Sequence, residues 1–329
     1  MPSLLDMPDV VMNLILEKSD FRSIQNLRKS CRDLFHFIDE AKPDSKLTHF
    51  EVTVNLNFIY ISLIFKNEER FVNVYRKHEN GNTMVQYAET LKILENSDFL
   101  EVALRDSQFV LDTGNLDLFA VDVAYRELDA LEDDPIVSRF FGALRAILES
   151  KNHPMKVKNF QITYKHVNQI SEFLPFFNPE KLTLIGSESN SETAEDLSEV
   201  VELEQWKNLK EFQASNFFIS AQVEDLLHFE RISIHVKEIS MDMILKFKEA
   251  FLKFSHMDDF EVCYFEFNIE RELMELFGNS SQITLEFKAQ WIFRIPGDSE
   301  KVVSVGFNSA CISFRRIGME DLNENVVIL

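Results

Sequence analysis

Catalysis or metal binding in this chain of 329 residues would fall to eight histidines, three cysteines and 55 carboxylates. No two histidines stand four apart and His-Glu-x-x-His is absent, so no helix face carries the paired ligands of a zinc hydrolase. His228 and His235 are the closest pair, seven residues apart across an expected helix-to-strand joint. They read either as a metal pair or as a helix-end histidine beside a sheet-face histidine, and the second reading is preferred. Cys31, Cys263 and Cys311 are odd in number, scattered and outside any Cys-x-x-Cys pair. They predict neither a zinc ribbon nor a disulfide scaffold, but reduced, packed thiols in the cytoplasm or nucleus. The eight glycines come no closer than Gly297 and Gly306, nine residues apart. Rossmann, Walker and kinase-type phosphate loops each need several close glycines and are therefore excluded. No Gly-x-Ser-x-Gly elbow occurs, and no catalytic residue, metal ligand or cofactor is expected.

The acids are abundant rather than arranged. Glu188 through Glu204 holds seven of them and no Lys or Arg. This stretch reads as a solvated loop before a helix. Its functional alternative is a site for basic partners, or for phosphorylation at Ser187, Ser189 or Ser191. Formal net charge is −21, and no basic run is interleaved with aromatics. Nucleic acid and anionic membrane would be repelled as direct ligands. The longest charge-free apolar run, Phe58 to Phe65, is too short to span a bilayer. Acids at positions 6 and 9 without a basic leader are unlike a signal peptide.

The elements that would position a binding surface are easier to read. Asp9, Asn13 and Glu17 form a single polar stripe at i, i+4 and i+8 on a first helix. Val10, Val11, Met12, Leu14, Ile15 and Leu16 cover nearly all the rest, enough apolar surface for two contacts rather than one. Two more short helices follow, to Ala41, and a unit of roughly 40 residues cannot bury that surface alone. The N-terminal head therefore requires a partner. After a polar break at 42–46, period-two runs begin at Thr48, with "FIYISLIF" and "ERFVNVYR" among them. "FLEVALRD" and "SQFVLD" extend the strand pattern to about residue 112, predicting a small, mostly antiparallel meander over 47–132. Asp134 and Pro135 then cap and open a helix.

Beyond that helix, short strands recur at Phe160–Ile162, Leu182–Leu184, Phe212–Ala214, Ile232–Ile234, Phe260–Val262 and Ile283–Leu285. Their spacing averages about 25 residues, inside the roughly 20–29 of leucine-rich repeats. Helical stretches at 166–174, 197–206, 221–228, 241–254 and 269–277 alternate with them, predicting a parallel sheet. Polar residues on the alternate face of each strand argue for a one-sided arc rather than a sheet buried on both faces. "WIFRI", "KVVSVGF" and "CISFRRI" would close its open end. The 31 phenylalanines are spaced as core. Trp206 reads as either an exposed recognition aromatic or a core residue, with core preferred because Val200, Val201 and Leu203 precede it at helical spacing. The expected fold class is α+β / α/β: a three-helix head, a small mostly antiparallel β region, and a leucine-rich-repeat-like β/α arc over 134–316.

Two stretches resemble known families. Leu5, Met7, Pro8, Val11, Ile15 and Leu16, followed by Phe21, Ile24 and Leu27 in "SDFRSIQNLRKSCRDLFHFID", resemble an F-box over residues 1–42. "RKSCRDLFHFI" stands where that family reads Val-Ser-Lys-x-(Trp or Phe), with Leu34 and Phe35 in place of the usual aromatic. "FFGALRAILESKNHPMKVKNFQI" (Phe140 to Ile162) and "LEQWKNLKEF" (Leu203 to Phe212) are similar to the FTH-type domain of the nematode A class of F-box proteins. An F-box, a variable sheet region and an FTH-type domain reproduce that family's layout over nearly the whole chain.

The resemblance implies a substrate-recognition subunit of a Skp–cullin–F-box ubiquitin ligase. Its head would dock on the Skp-type adaptor through the nine residues from Leu5 to Leu27 just named, and through the adaptor on a cullin. Such a subunit catalyses nothing itself and acts by proximity. On the polar strand face, Gln161, Gln213, Arg231, Ser233, Glu261 and Thr284 are the candidates for holding an unknown protein target. The competing expectations are a non-degradative interaction scaffold and, more distantly, an enzyme with an unrecognised site.

Overall fold

The computed structural model describes residues 6–44, 46–87, 90–111, 116–123, 135–164, 167–186, 194–281, 286–322 and 326–329. The chain divides into two compact units, Met1–Lys158 and Asn159–Leu329. Together they contain both helices segregated at the N-terminus and sheets with further helices, an α+β protein.

The first unit opens with helices α1 (Asp9–Lys18), α2 (Phe21–Ser30) and α3 (Arg32–Ala41). Asp20 caps α2, its Oδ1 accepting the Ser23 N–H at 2.6 Å, and that bond lowers the Asp20 pKa. Lys42 ends α3 in the left-handed conformation (φ 44°), and Pro43 forbids continuation. Leu16, Ile24 and Ile38 form the core of the three helices, flanked by Phe21, Leu27 and Phe37. Arg28 locks α2 to α3 by a two-pronged pair with Asp39 (2.6 and 3.1 Å), while its guanidinium lies 4.3 Å over the Phe35 ring.

Strands β1 (Leu47–Val54), β2 (Phe58–Phe65), β3 (Arg70–Lys77), β4 (Thr83–Tyr87) and β5 (Thr90–Leu94) follow as an antiparallel meander. Helix α4 (Phe99–Leu111) then leads to β6 (Leu116–Val123), which runs parallel to β1. The expectation of strands over 99–112 is thus corrected: Phe99–Leu111 is helical. Asp98 is the reason, since its Oδ1 accepts the N–H of both Leu100 and Glu101 and opens a helix. Leu100, Ala103, Leu104, Ser107 and Leu111 then fall on one buried face. Asp106 ties α4 to the sheet by accepting the Tyr75 and Tyr87 hydroxyls at 3.0 and 3.2 Å. Burial, reinforced by that carboxylate, raises the Tyr75 pKa well above its ordinary value. Helix α5 (Pro135–Glu149) follows as its periodicity predicts; Asp134, its expected cap, lies outside the described residues. Strand β7 (Met155–Tyr164) contains the division between the units.

In the second unit the elements are α6 (Asn168–Phe173), β8 (Phe177–Asn178), β9 (Lys181–Gly186), β10 (Glu195–Asp196), α7 (Ser198–Val201), α8 (Glu204–Lys207), β11 (Glu211–Ser215) and β12 (Ile219–Ser220). They continue as β13 (Arg231–Glu238), α9 (Met241–Lys253), β14 (Asp259–Glu266), α10 (Glu270–Phe277), β15 (Ala289–Arg294), β16 (Lys301–Phe307) and β17 (Cys311–Gly318). Strands β7, β9, β11, β13 and β14 are parallel in that order. Antiparallel β17, β16 and β15 extend the sheet from β14. The five parallel strands and the closing antiparallel trio match the sequence pattern; 283–285, the sixth expected strand, lies outside the described residues. The connectors are uneven, from the thirteen-residue α9 to the four-residue 3-10 turn Val223–Leu226 that replaces the helix expected at 221–228. The helix expected at 197–206 is likewise two four-residue turns, α7 and α8. The strands therefore alternate with helical turns without a uniform repeat unit.

Aromatic rings fill the interior. Phe251 and Phe247 on α9 reach Phe260 (5.0 and 5.6 Å between centroids) and Phe314 (5.9 and 5.6 Å). Arg316 closes the last turn of α9, donating to the Phe251 and Phe254 carbonyls at 2.5 and 2.8 Å. One more expectation is corrected at this end of the sheet: Cys263 and Cys311 are disulfide-bonded. The antiparallel register of β14 and β17 sets them directly opposite, with Cα atoms 4.0 Å apart. Only Cys31 is a free thiol, and it is exposed.

Candidate docking surfaces of the head and the sheet

Two surfaces could engage other proteins. On the head, Pro8 precedes α1 and its carbonyl accepts the Val11 and Met12 N–H groups (2.8 and 3.1 Å), fixing where the helix begins. Met12 and Leu16 then turn into the protein. On the opposite side Met7, Val10, Val11 and Leu14, at i, i+3, i+4 and i+7, remain exposed, Val10 at 71% and Leu14 at 50%. The two contacts foreseen for this helix are thus physically separate, one made internally and one left open.

Among the nominated adaptor-binding residues, Met7, Pro8 and Val11 lie on the exposed side, and Ile15 is half-buried. Leu16 and Ile24 are inside the head's own core, with Phe21 and Leu27 packed against it; they shape the surface rather than present it. Leu5 lies outside the described residues. Val10 and Leu14 are not among the residues that carry the F-box resemblance, although the i, i+3, i+4, i+7 spacing from Met7 contains them.

On the second unit, strand register builds rows across the polar face. Gln161, Thr183, Gln213, Ser233, Glu261 and Ser313 stand side by side. This row brings together four of the six target-face candidates. Arg231 belongs to the adjoining row, Lys181–Glu211–Arg231–Asp259–Arg315, where charges alternate. It donates to Glu211 at 2.8 Å and to Asp258 at 3.0 Å, and the Asp258 hydrogen bond leads in raising its pKa. Thr284 lies outside the described residues. In the next row His235 adjoins Cys263; burial lowers the His235 pKa against the pull of Glu261. His228 sits elsewhere, its Nε2 3.0 Å from the Trp206 carbonyl oxygen, its pKa also lowered by burial. His235 thus stands on a sheet strand as expected, whereas His228 follows a 3-10 turn rather than the end of a helix. Among the described residues no three His, Cys, Asp or Glu side chains gather as metal ligands, and no helix is long and apolar enough to cross a membrane.

The F-box family model matches residues 4–46, the span of the helical head, and the FTH domain model matches residues 138–280. The chain carries an F-box and an FTH domain. Over 280 residues it is 25% identical to F-box A protein 224 of Caenorhabditis elegans, covering 84% of this chain and 70% of that relative. No solved structure matches. The FTH domain's "LEQWKNLKEF" stretch has a packing role. Trp206 is buried, 4.8 Å from Phe212 and 5.1 Å from Phe229 by ring centroid. Its Nε1 donates to the Asp225 carbonyl at 3.2 Å.

Proposed function

We propose that this protein is a substrate-recognition subunit of a Skp–cullin–F-box ubiquitin ligase. The F-box docks on a Skp-type adaptor and through it a cullin, while the C-terminal region holds a protein target. No bond chemistry is assigned to the chain itself; raised effective concentration of target lysines near the charged enzyme accounts for its action. The proposed division of labour is 1–42 for docking, 47–132 as a β-rich spacer and 134–316 for target capture, in the cytoplasm or nucleus. The observation that carries this reading is the exposed stripe Met7–Val10–Val11–Leu14 on a head whose internal core is already complete. Four adjacent apolar side chains in water favour association, at about 1.5–3 kcal/mol per fully buried side chain.

Co-expression of the full chain with Skp-type adaptors tests it, with a stoichiometric complex expected. Failure to form one with any adaptor would remove the ligase reading. On the target side, Arg231→Glu combined with Glu261→Arg is expected to abolish capture of a verified target and spare the adaptor complex. Capture that survives both reversals places target binding on another surface.

A further inference from the structure

At the C-terminal ends of the parallel strands the second unit has a cavity of about 230 Å³ that the polar face does not include. Ile219 of β12, Leu226, Ile234 and Val236 of β13, and Met243 of α9 line it, with Lys237 and Glu238 at its edge. Its size decides its class of occupant. Drug-sized ligands and cofactors need roughly 300–1,000 Å³, whereas a cavity of about 150 Å³ already accepts benzene. There is room for one apolar side chain.

The surroundings define what must flank that side chain. Glu238 and Glu266 are direct register partners on β13 and β14, a like-charge pairing that costs free energy when unrelieved. Neither takes part in an ion pair among the described residues. Glu195 and Asp196 of β10 lie beside the cavity through β12, with which β10 pairs. An apolar cavity edged by Glu238, with Glu266, Glu195 and Asp196 on the adjoining strands and Lys237 as well in its lining, carries a net negative rim complementary to an apolar residue flanked by cations.

We infer that this cavity is a docking site for a short target segment in which one Leu-, Met- or Phe-like side chain is flanked by Lys or Arg. Glu195 and Asp196 then add to the attraction. The use of the site in target capture rests on the ligase reading; the site's existence does not.

The test uses the full chain and a photoreactive peptide, Lys-Lys-Leu-Lys-Lys, carrying a diazirine leucine at its centre. Crosslinks mapped by mass spectrometry are expected on Ile219, Val236 or Met243. They should fall at least tenfold in Glu238→Lys plus Glu266→Lys, two exposed changes compatible with folding. Unlabelled Lys-Lys-Leu-Lys-Lys should compete, and Lys-Lys-Gly-Lys-Lys should compete at least tenfold less well. Met243→Trp, which fills the cavity, should also abolish the crosslinks. Labelling dispersed over the acidic surface, labelling retained in the double glutamate variant, or equal competition by the glycine peptide would each overturn the proposal. Adaptor binding is read on the same preparations by co-elution. Crosslinks without any adaptor complex would uphold the site and defeat the ligase reading; the reverse would defeat the site alone.

Discussion

The helical head and the sheet of the second unit solve the burial problem in opposite ways. The head has three short helices, a small core around Leu16, Ile24 and Ile38, and a second apolar stripe left in water. The sheet buries its apolar face almost completely, with Phe160, Leu182, Phe212, Ile234 and Phe260 at 1% exposure or less, and shows polar rows on the other side. The difference lies in what each surface says about its partner. An open apolar stripe specifies the character of what must cover it. A polar row with internally satisfied charges, such as Arg231 between Glu211 and Asp258, is compatible with many partners and demands none.

Variants can break this contrast, and the largest effect belongs to the head. Val10→Asp with Leu14→Asp should cost adaptor binding about 3–6 kcal/mol, two full side-chain burials, with thermal unfolding of the chain unchanged. A titration of the double variant against the adaptor reads the loss, and an unchanged affinity would mean that the stripe is not the contact. The sheet should respond in reverse: Phe260→Ala is expected to remove about 3–5 kcal/mol of stability, seen in denaturant melts, while the adaptor complex forms normally below the melting point.

Smaller effects sharpen the same distinction. Reduction of Cys263–Cys311 opens a constraint between residues 48 apart, for which loop entropy gives roughly 4 kcal/mol as an upper figure and typical bridges about 2–4 kcal/mol. Thermal melts with and without a dithiol should show the second unit alone losing stability. The pH dependence is the mildest. His228 and His235 have folded pKa values lowered by burial, so their contribution is complete above the unfolded value of about 6.5 and is lost as pH falls through the lowered values. Stability should therefore decline below about pH 6.5, and His228→Gln with His235→Gln should flatten that part of the profile.

The sequence disclosed most where one period ruled a segment. The alternation in "FIYISLIF" and the three-residue strands from Phe160 to Phe260 predicted β2 and the parallel sheet. At 99–111 both periods fit, because Phe99, Leu100, Val102, Ala103 and Leu104 are apolar in either reading; Asp98 as a cap was the deciding residue. For α1 the difficulty was different. A helix apolar on nearly every side does not reveal which stripe its own core will take, so the surface expected of Leu16 is one from which the fold withdraws it. The Cys263–Cys311 pairing depends on the register of β14 against β17, a long-range quantity that local composition does not contain. Likewise the row Gln161–Gln213–Ser233–Glu261 was foreseen as a shared face, but its side-by-side order needed the strand pairing.

That disulfide has a further consequence for the integrity of the chain. Because it joins β14 directly to β17, every peptide bond between residues 263 and 311 lies inside a covalent ring. A protease that nicks the turn between β15 and β16, or the connection after α10, makes two fragments that stay attached. Such a nicked molecule would migrate as a full-length chain on a non-reducing gel and separate only after thiol treatment.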